Sequence, residues 1–420
     1  MTLHDALPES PESPDTYDPS DPPLVPSPVL TDHHPTPTHC GVSLRALYGW
    51  LLPSLLPMLA AGTFFLGWRA PAAFATVVVS TLVAVSLWRL VGQRGRSLHY
   101  THATLLAGLL ACLMPAELFS ASNPWYSVGP GAAWPLLVAA GFTLAFFYWL
   151  LGGVGSRLHP VAASALALLI LFPTQLTPTN VLVRPHLLTG NLLSAVASPH
   201  ESSADPHLTL VLPENSLDAF RTEPVSSRLT AFMRGSPSPD GIWLSLESLL
   251  RDRLPPLEDL IVGGHPGAIG LTSTVAVLFA GLTLLYRGGA DWRIPLIVLI
   301  TAFTAFFFLR LPVVITSTGP AWRWMAFREQ GVSWETLATF AFYQIAAGPL
   351  VFTAFFLATD HASAPTNRRG RILYAALLGT SAAAAQLYFS TQTGPLAALL
   401  LLSLLSPTLT RVTRPKPLLN

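Results

Sequence analysis

Ten apolar stretches alternate with polar turns along the chain, at about 45–66, 70–90, 102–119, 132–151, 160–176, 269–286, 294–309, 336–358, 371–390 and 394–410. Most approach the roughly 17–25 residues that a helix needs to cross a bilayer core. The fifth, seventh and tenth are marginal in length. A spanning helix satisfies its own backbone hydrogen bonds, whereas an unpaired strand in lipid does not. The pattern predicts an all-α polytopic membrane protein with about ten transmembrane helices. Between the fifth and sixth stretches lies a polar insert, 177–268, which ends in LEDLIVGGHPGAIGLTST and predicts one large external loop.

Trp68-Arg69-Ala70-Pro71 opens the second stretch and Trp292-Arg293-Ile294-Pro295 opens the seventh. An odd number of spans between the two would make them two inverted five-helix halves with a site near the midplane. Interfacial Trp and Arg followed by a first-turn proline is also ordinary chemistry for starting a helix. The expected organisation is a tail at 1–41, a first half at 42–176, the external loop region at 177–268, a second half at 269–415 and a short tail at 416–420. Residues 1–41 hold ten prolines, seven acidic residues and no Lys or Arg. Such a stretch buries too little apolar surface to offset its ordering entropy, and disorder is expected. It lacks the basic start and apolar core of a secretory signal. His33, His34 and His39 within it read as a solvated linker rather than a metal-binding tail.

Composition agrees with the hydropathy pattern: 51% of residues are hydrophobic, only 11% are charged, and the mean hydropathy is +0.50. A soluble domain carries about 25% charged residues. The net charge of +1 gives no bulk attraction to nucleic acid. Cys40 and Cys112 form neither a disulfide framework nor a CxxC pair, which argues against zinc or iron–sulfur chemistry. With ten spans, thirteen basic residues fall in cytoplasmic loops and flanks against four in the short external loops. That bias places both termini on the cytoplasmic side of a bacterial inner membrane and the 177–268 insert outside.

Several segments resemble one family, the D subunit of the Rnf electron-transport complex together with the B subunit of the sodium-pumping NADH:quinone reductase. LLPSLLPMLAAGTFFLGWRA looks like its first helix and turn, and THATLLAGLLACLMPA like its third helix. GGVGSRLHPVAASA resembles the family's GGLGxNxFNPA turn, with Arg157, Leu158 and His159 replacing the usual residues. LEDLIVGGHPGAIGLTST resembles DLFLGxxPGSIGETS, and FLATDHASAPTNRRGRILYA resembles MATDPVTSPxTxxGRxxFG. The likeness covers about residues 45–415 in matching order.

The resemblance implies FMN joined by a phosphoester to a threonine in an S-G-A-T motif of the external loop, and a second, non-covalent flavin such as riboflavin within the bundle. Here Ser227 and Thr230 keep the S-x-x-T spacing, while Arg228 and Leu229 stand where Gly and Ala belong. Pro224 occupies the position, six before the threonine, where an acidic residue is expected. Thr230 is therefore read two ways, as a degraded but working acceptor or as an ordinary loop residue. Arg228 is read either as a non-covalent partner for a flavin phosphate or as a solvated side chain. Gly263, Gly264, Pro266, Gly267 and Gly270, with Thr272, suit a tight turn into a helix whose amino end could hold an anionic group, or a purely structural turn. Asp360 either orders its loop or contacts flavin.

Gly270-Leu271-Thr272-Ser273 lacks the carboxylate of the family's GETS, and Gln392-Thr393-Gly394-Pro395-Leu396-Ala397-Ala398 replaces its PEGVAFA. Membrane carboxylates are the usual carriers of proton or sodium coupling. The function implied is a membrane subunit of a flavin-linked complex that passes electrons between other membrane and peripheral subunits and is not catalytic alone. The alternative is a flavin-free scaffold or small-solute carrier that keeps the family fold.

Overall fold

The computed structural model describes residues 51–90, 99–118, 134–177, 180–182, 219–221, 224–235, 243, 245–263, 265–316, 319–329 and 332–413. The expectations for the 1–41 and 416–420 tails, for most of the 177–268 insert and for Gly264 lie outside the described residues.

The fold is helical. Helix α1 (Leu56–Leu66) stops at Gly67, whose φ of +72° a side chain would resist, and α2 (Arg69–Leu90) follows at once. Then come α3 (Tyr100–Cys112), α4 (Pro135–Leu150) and α5 (Pro160–Leu171). The latter two open on proline, whose fixed φ and missing N–H suit a first turn. Helix α2 packs against α3 and α4, and α4 packs against α5. Gly141 lets α4 lie directly on Ser80 and Thr81 of α2. Small residues permit this close approach in apolar bundles.

Strands β1 (Asn180–Leu182) and β2 (Ala219–Arg221) pair antiparallel, with Asn180 opposite Arg221. After them come α6 (Val225–Met233) and α7 (Leu257–Val262). The remaining chain forms α8 (Thr274–Tyr286), α9 (Arg293–Phe308), an antiparallel hairpin of β3 (Leu311–Thr316) and β4 (Gly319–Arg323), and α10 (Trp334–Ala346). A short helical segment, Leu350–Leu357, precedes α11 (Arg368–Tyr388) and α12 (Gly394–Val412). Helix α11 packs against both α9 and α12, α12 reaches α5, and Gly379 seats α11 against Thr301 of α9. The two Trp-Arg segments do start helices: Arg69 begins α2 and Trp292 caps α9.

Among the described residues, ten transmembrane helices in two inverted five-helix halves do not form. Among the described residues, α2 and α12 are long and apolar enough to cross a membrane, and α10 with Leu350–Leu357 makes a third if that bent pair is one span. The apolar stretches are continuous in sequence but cut in space. Helices α3, α4, α5, α8 and α9 have 10–17 residues each, roughly 15–25 Å at the rise of an α-helix, against a core of about 30 Å. The stretch at 336–358 breaks at Gly348-Pro349, and its two halves lie 66° apart, because Pro349 offers no N–H to continue the ladder. Helix α11 has 21 residues but opens on Arg368, Arg369 and Arg371 and buries Gln386.

Candidate functional site

Helix α7 ends at Gly263, where φ is +127° and a Cβ would lie 2.5 Å from the Phe65 ring. Beyond it the chain crosses the carboxyl end of α3: the Ile269 amide donates to Met114 O at 3.0 Å and the Gly270 amide to Cys112 O at 2.8 Å. Helix ends leave carbonyls without intrahelical partners, and this turn supplies them. A Cβ on Gly270 would overlap Cys112, and one on Gly267 would lie 3.1 Å from Thr272 Cα. Thr272 is wholly buried and donates from Oγ1 to Ala268 O at 2.8 Å. Ser273 then caps α8 by accepting from the Ala276 amide at 3.3 Å. These glycines bring backbone against protein.

Helix α6 carries Ser227, Arg228 and Thr230 onto the turn that precedes α12. Thr230 Oγ1 donates to Ser226 O at 2.7 Å and lies 3.2 Å from Thr391 Oγ1, while Gln392 Nε2 donates to Ser226 Oγ at 3.2 Å. Arg228 Nη1 donates to the Arg253 carbonyl, and Ser227 is half-buried. A cavity of about 40 Å³ lies beside this contact, lined among others by Ser226, His265, Gly267, Gly348 and Gln392. The structure therefore brings the Ser227–Thr230 helix, the Gly267 turn and the break at Gly348-Pro349 to one place.

Asp360 belongs elsewhere. It lines a second cavity of about 40 Å³ with His102, His159, Gly289, Thr359 and His361. Helix α3 runs between the two: His102 lines the second cavity and Leu113, just past the helix end, lines the first, a separation of roughly 16 Å at helical rise. Asp360 and the Gly267–Thr272 turn thus do not form one site.

Burial shifts the titrating groups. His265 is pushed down to about 4 by burial, opposed by the Asp259 backbone, and its Nδ1 has no hydrogen-bond partner. Asp259 is pushed up to about 6 by burial and then by Glu258, and its Oδ2 is unpartnered. His159 is pushed down to about 3 by burial and by His102, again with an unpartnered Nδ1. Burial raises the Asp360 carboxyl, against the Ala362 amide and His361. Sequence reasoning passed over His102, His159, His265 and His361 as site residues. Their signal was a titratable ring within or beside an apolar stretch, where such groups are costly and tend to be functional.

Among the described residues, neither of these two cavities fits a flavin in this arrangement. Small-molecule sites run to about 300–1,000 Å³, whereas the two cavities beside Thr230 and Asp360 have about 40 Å³ each. The Thr230 hydroxyl is engaged inside the protein, and the spaces beside Gly267 and Gly270 are filled by Thr272 and Cys112. Among the described residues no group of three or more His, Cys, Asp or Glu is placed to hold a metal ion.

The sequence profile of the NQR2, RnfD, RnfE family matches residues 32–418. The D subunit of the ion-translocating oxidoreductase complex of Vibrio vulnificus (strain YJ016) is 25% identical over 388 residues, covering 90% of this chain and 96% of that protein. Its namesake from Halorhodospira halophila is 27% identical over 348 residues, 81% of each chain. The D subunit of the Na(+)-translocating ferredoxin:NAD(+) oxidoreductase complex of Acetobacterium woodii is 23% identical over 363 residues, 86% of each chain.

Proposed function

Because the chain belongs to the NQR2, RnfD, RnfE family, we propose that it is the membrane subunit of an Rnf/Nqr-like, ion-translocating electron-transport complex. The single observation that carries this reading is the family match over 32–418, with relatives aligned along most of their own length. It is a membrane-associated bacterial protein, and it works with partner subunits rather than as an enzyme alone. On this reading other membrane and peripheral subunits supply the electron donor and acceptor, and flavin chemistry links them. The chain resides in the inner membrane with both termini cytoplasmic and the 177–268 insert outside. A cysteine at Ser203 should then react with an impermeant thiol reagent on intact cells, and labelling only after lysis rejects that orientation.

What the described residues supply is position. The turn at 265–273 ties α3 to α8, and α6 ties the polar insert to the start of α12. A partner docking on the insert would therefore bear on the broken helix at Gly348-Pro349. A second reading, a flavin-free scaffold within the same complex, is favoured by the inward-bonded Thr230 hydroxyl and the water-sized cavities. Gentle extraction followed by flavin absorbance and identification of the accompanying chains separates the two. Copurifying subunits with flavin on this chain support the redox reading, copurifying subunits with a colourless chain support the scaffold, and an unaccompanied monomer rejects both.

A further inference from the structure

We propose that the shared end of α9, α11 and α12 is a binding site for an anionic phospholipid, whose headgroup phosphate pairs with Arg368, Arg369 and Arg411 while its acyl chains lie on the exposed apolar strip of α11. The inference rests on the membrane residence given above and adds which lipid the chain selects there.

Three helix ends are tied together at this place. Asp291, in the turn before α9, accepts from the Arg293 amide at 3.2 Å and from Arg371 Nη1 of α11 at 3.0 Å. Asn367, which precedes α11, donates from Nδ2 to Thr410 O of α12 at 3.1 Å. Gly370 lies so near the end of α12 that a Cβ on it would meet Thr413 Oγ1 at 2.9 Å. The starts of α9 and α11 and the end of α12 are thereby fixed at one level.

Positive charge accumulates at that level. Arg368, Arg369 and Arg411 are exposed, and none of them forms an ion pair among the described residues. Asp291 is already answered by Arg371, and Arg293 lies beside the Trp292 ring at 5.7 Å. The loop before α11 adds Asp360, whose carboxyl accepts from the Ala362 and His361 amides of that same loop. Three guanidinium groups thus stand without a protein counter-charge. Their planar forks match the spacing of phosphate oxygens.

Beyond the arginines the surface turns apolar. One helical turn carries Arg368 to Ile372 and Arg369 to Leu373 on the same face, and Leu377 continues the strip. All three stay exposed although α11 packs against both α9 and α12. The flanking helices repeat the order, with Trp292 followed by Leu296 and Ile300 on α9, and Arg411 preceded by Leu404 on α12. Thr380 ends the strip and turns its hydroxyl back to the Ala376 and Leu377 carbonyls. From Arg368 to Thr380 the helix rises roughly 18 Å, against about 15 Å for one leaflet of the bilayer core. A free phosphate would use the arginines and leave the strip bare. A border between guanidinium and hydrocarbon, marked by an exposed tryptophan, is that of a phospholipid at the interface.

The test is native mass spectrometry of the full chain, extracted from the membrane fraction in mild detergent and offered equal amounts of dioleoyl phosphatidylglycerol and dioleoyl phosphatidylcholine. Phosphatidylglycerol should be retained in preference by roughly fivefold or more, the worth of one arginine at an anionic surface. That preference should vanish in the double variant Arg368→Gln, Arg369→Gln, and glycerol phosphate should not displace the lipid. Circular dichroism checks folding, and should the double variant fail to fold, Arg411→Gln must lower the preference instead. Equal retention of the two lipids overturns the proposal, as does a preference unchanged in the variants. Displacement by glycerol phosphate overturns it in favour of a free-phosphate site. Loss of an acidic neighbouring chain from the double variant, with no lipid preference in the wild type, overturns it in favour of a protein partner. A chain absent from the membrane fraction rejects the membrane reading itself, whereas a membrane-bound chain without lipid preference rejects this proposal alone.

Discussion

Thr230 Oγ1 lies 3.2 Å from Thr391 Oγ1 and accepts from the Thr391 amide at 3.3 Å, although 161 positions separate them in the chain. The same hydroxyl donates back to Ser226 O at 2.7 Å. A residue at the spacing of a flavin acceptor is therefore used as a clasp between α6 and the turn that begins α12. Denaturing gels of the purified chain should show no ultraviolet-excited flavin fluorescence. A bright band lost in Thr230→Ala would mean that the clasp opens for modification. Thr230→Val should lower stability by about 1 kcal/mol, the net worth of a typical hydrogen bond, measured as a shift in thermal midpoint.

Gly270 sits where any Cβ would meet Cys112. Gly270→Ala should destabilise by about 1–3 kcal/mol, the usual cost of overpacking a close-packed interior. Adding Cys112→Gly should recover part of that loss by removing the side chain in the way. Equal destabilisation in the single and double variants would show that backbone conformation, and not this contact, demands glycine.

Asp291 and Arg371 form an ion pair at 3.0 Å. Burial raises the Asp291 carboxyl, but the Arg293 amide and the Arg371 guanidinium outweigh it and hold the group below the usual carboxylate range. A depressed folded-state value contributes stability that is present above the ordinary aspartate value and lost as pH falls through the folded one. Arg371→Gln should accordingly flatten the acid limb of a stability–pH curve below about pH 4. An acid limb unchanged in the variant would remove the pair from the account.

Asp259 has the opposite sign. Its folded value of about 6 lies above the ordinary 3.8, so its contribution is fully present below the ordinary value and declines as pH rises through about 6. Relative to wild type, Asp259→Asn should therefore gain thermal midpoint between about pH 4 and pH 7. A difference between the two proteins that stays constant across that window would rule the linkage out.

Much of the architecture was legible in the sequence. Apolar stretches announced helices, and the Trp-Arg segments at Trp68 and Trp292 marked two of their starts, because an early proline suits the first turn. The GGHPGAIG segment read correctly as a tight turn opening a helix, because positive φ at Gly263 and the cap at Ser273 are local properties of short sequences. Family membership was legible too, since motif order survives without knowledge of packing. Helix length was not: Gly348-Pro349 cuts a stretch that hydropathy counts as continuous, and whether a proline kinks or ends a span depends on the neighbours that take up the freed carbonyls. Nor could any local pattern show Thr230 against Thr391, or His102 and His159 around Asp360. Those meetings depend on how distant helices stack, and stacking is decided by side-chain volume across the whole bundle, which no window of sequence contains.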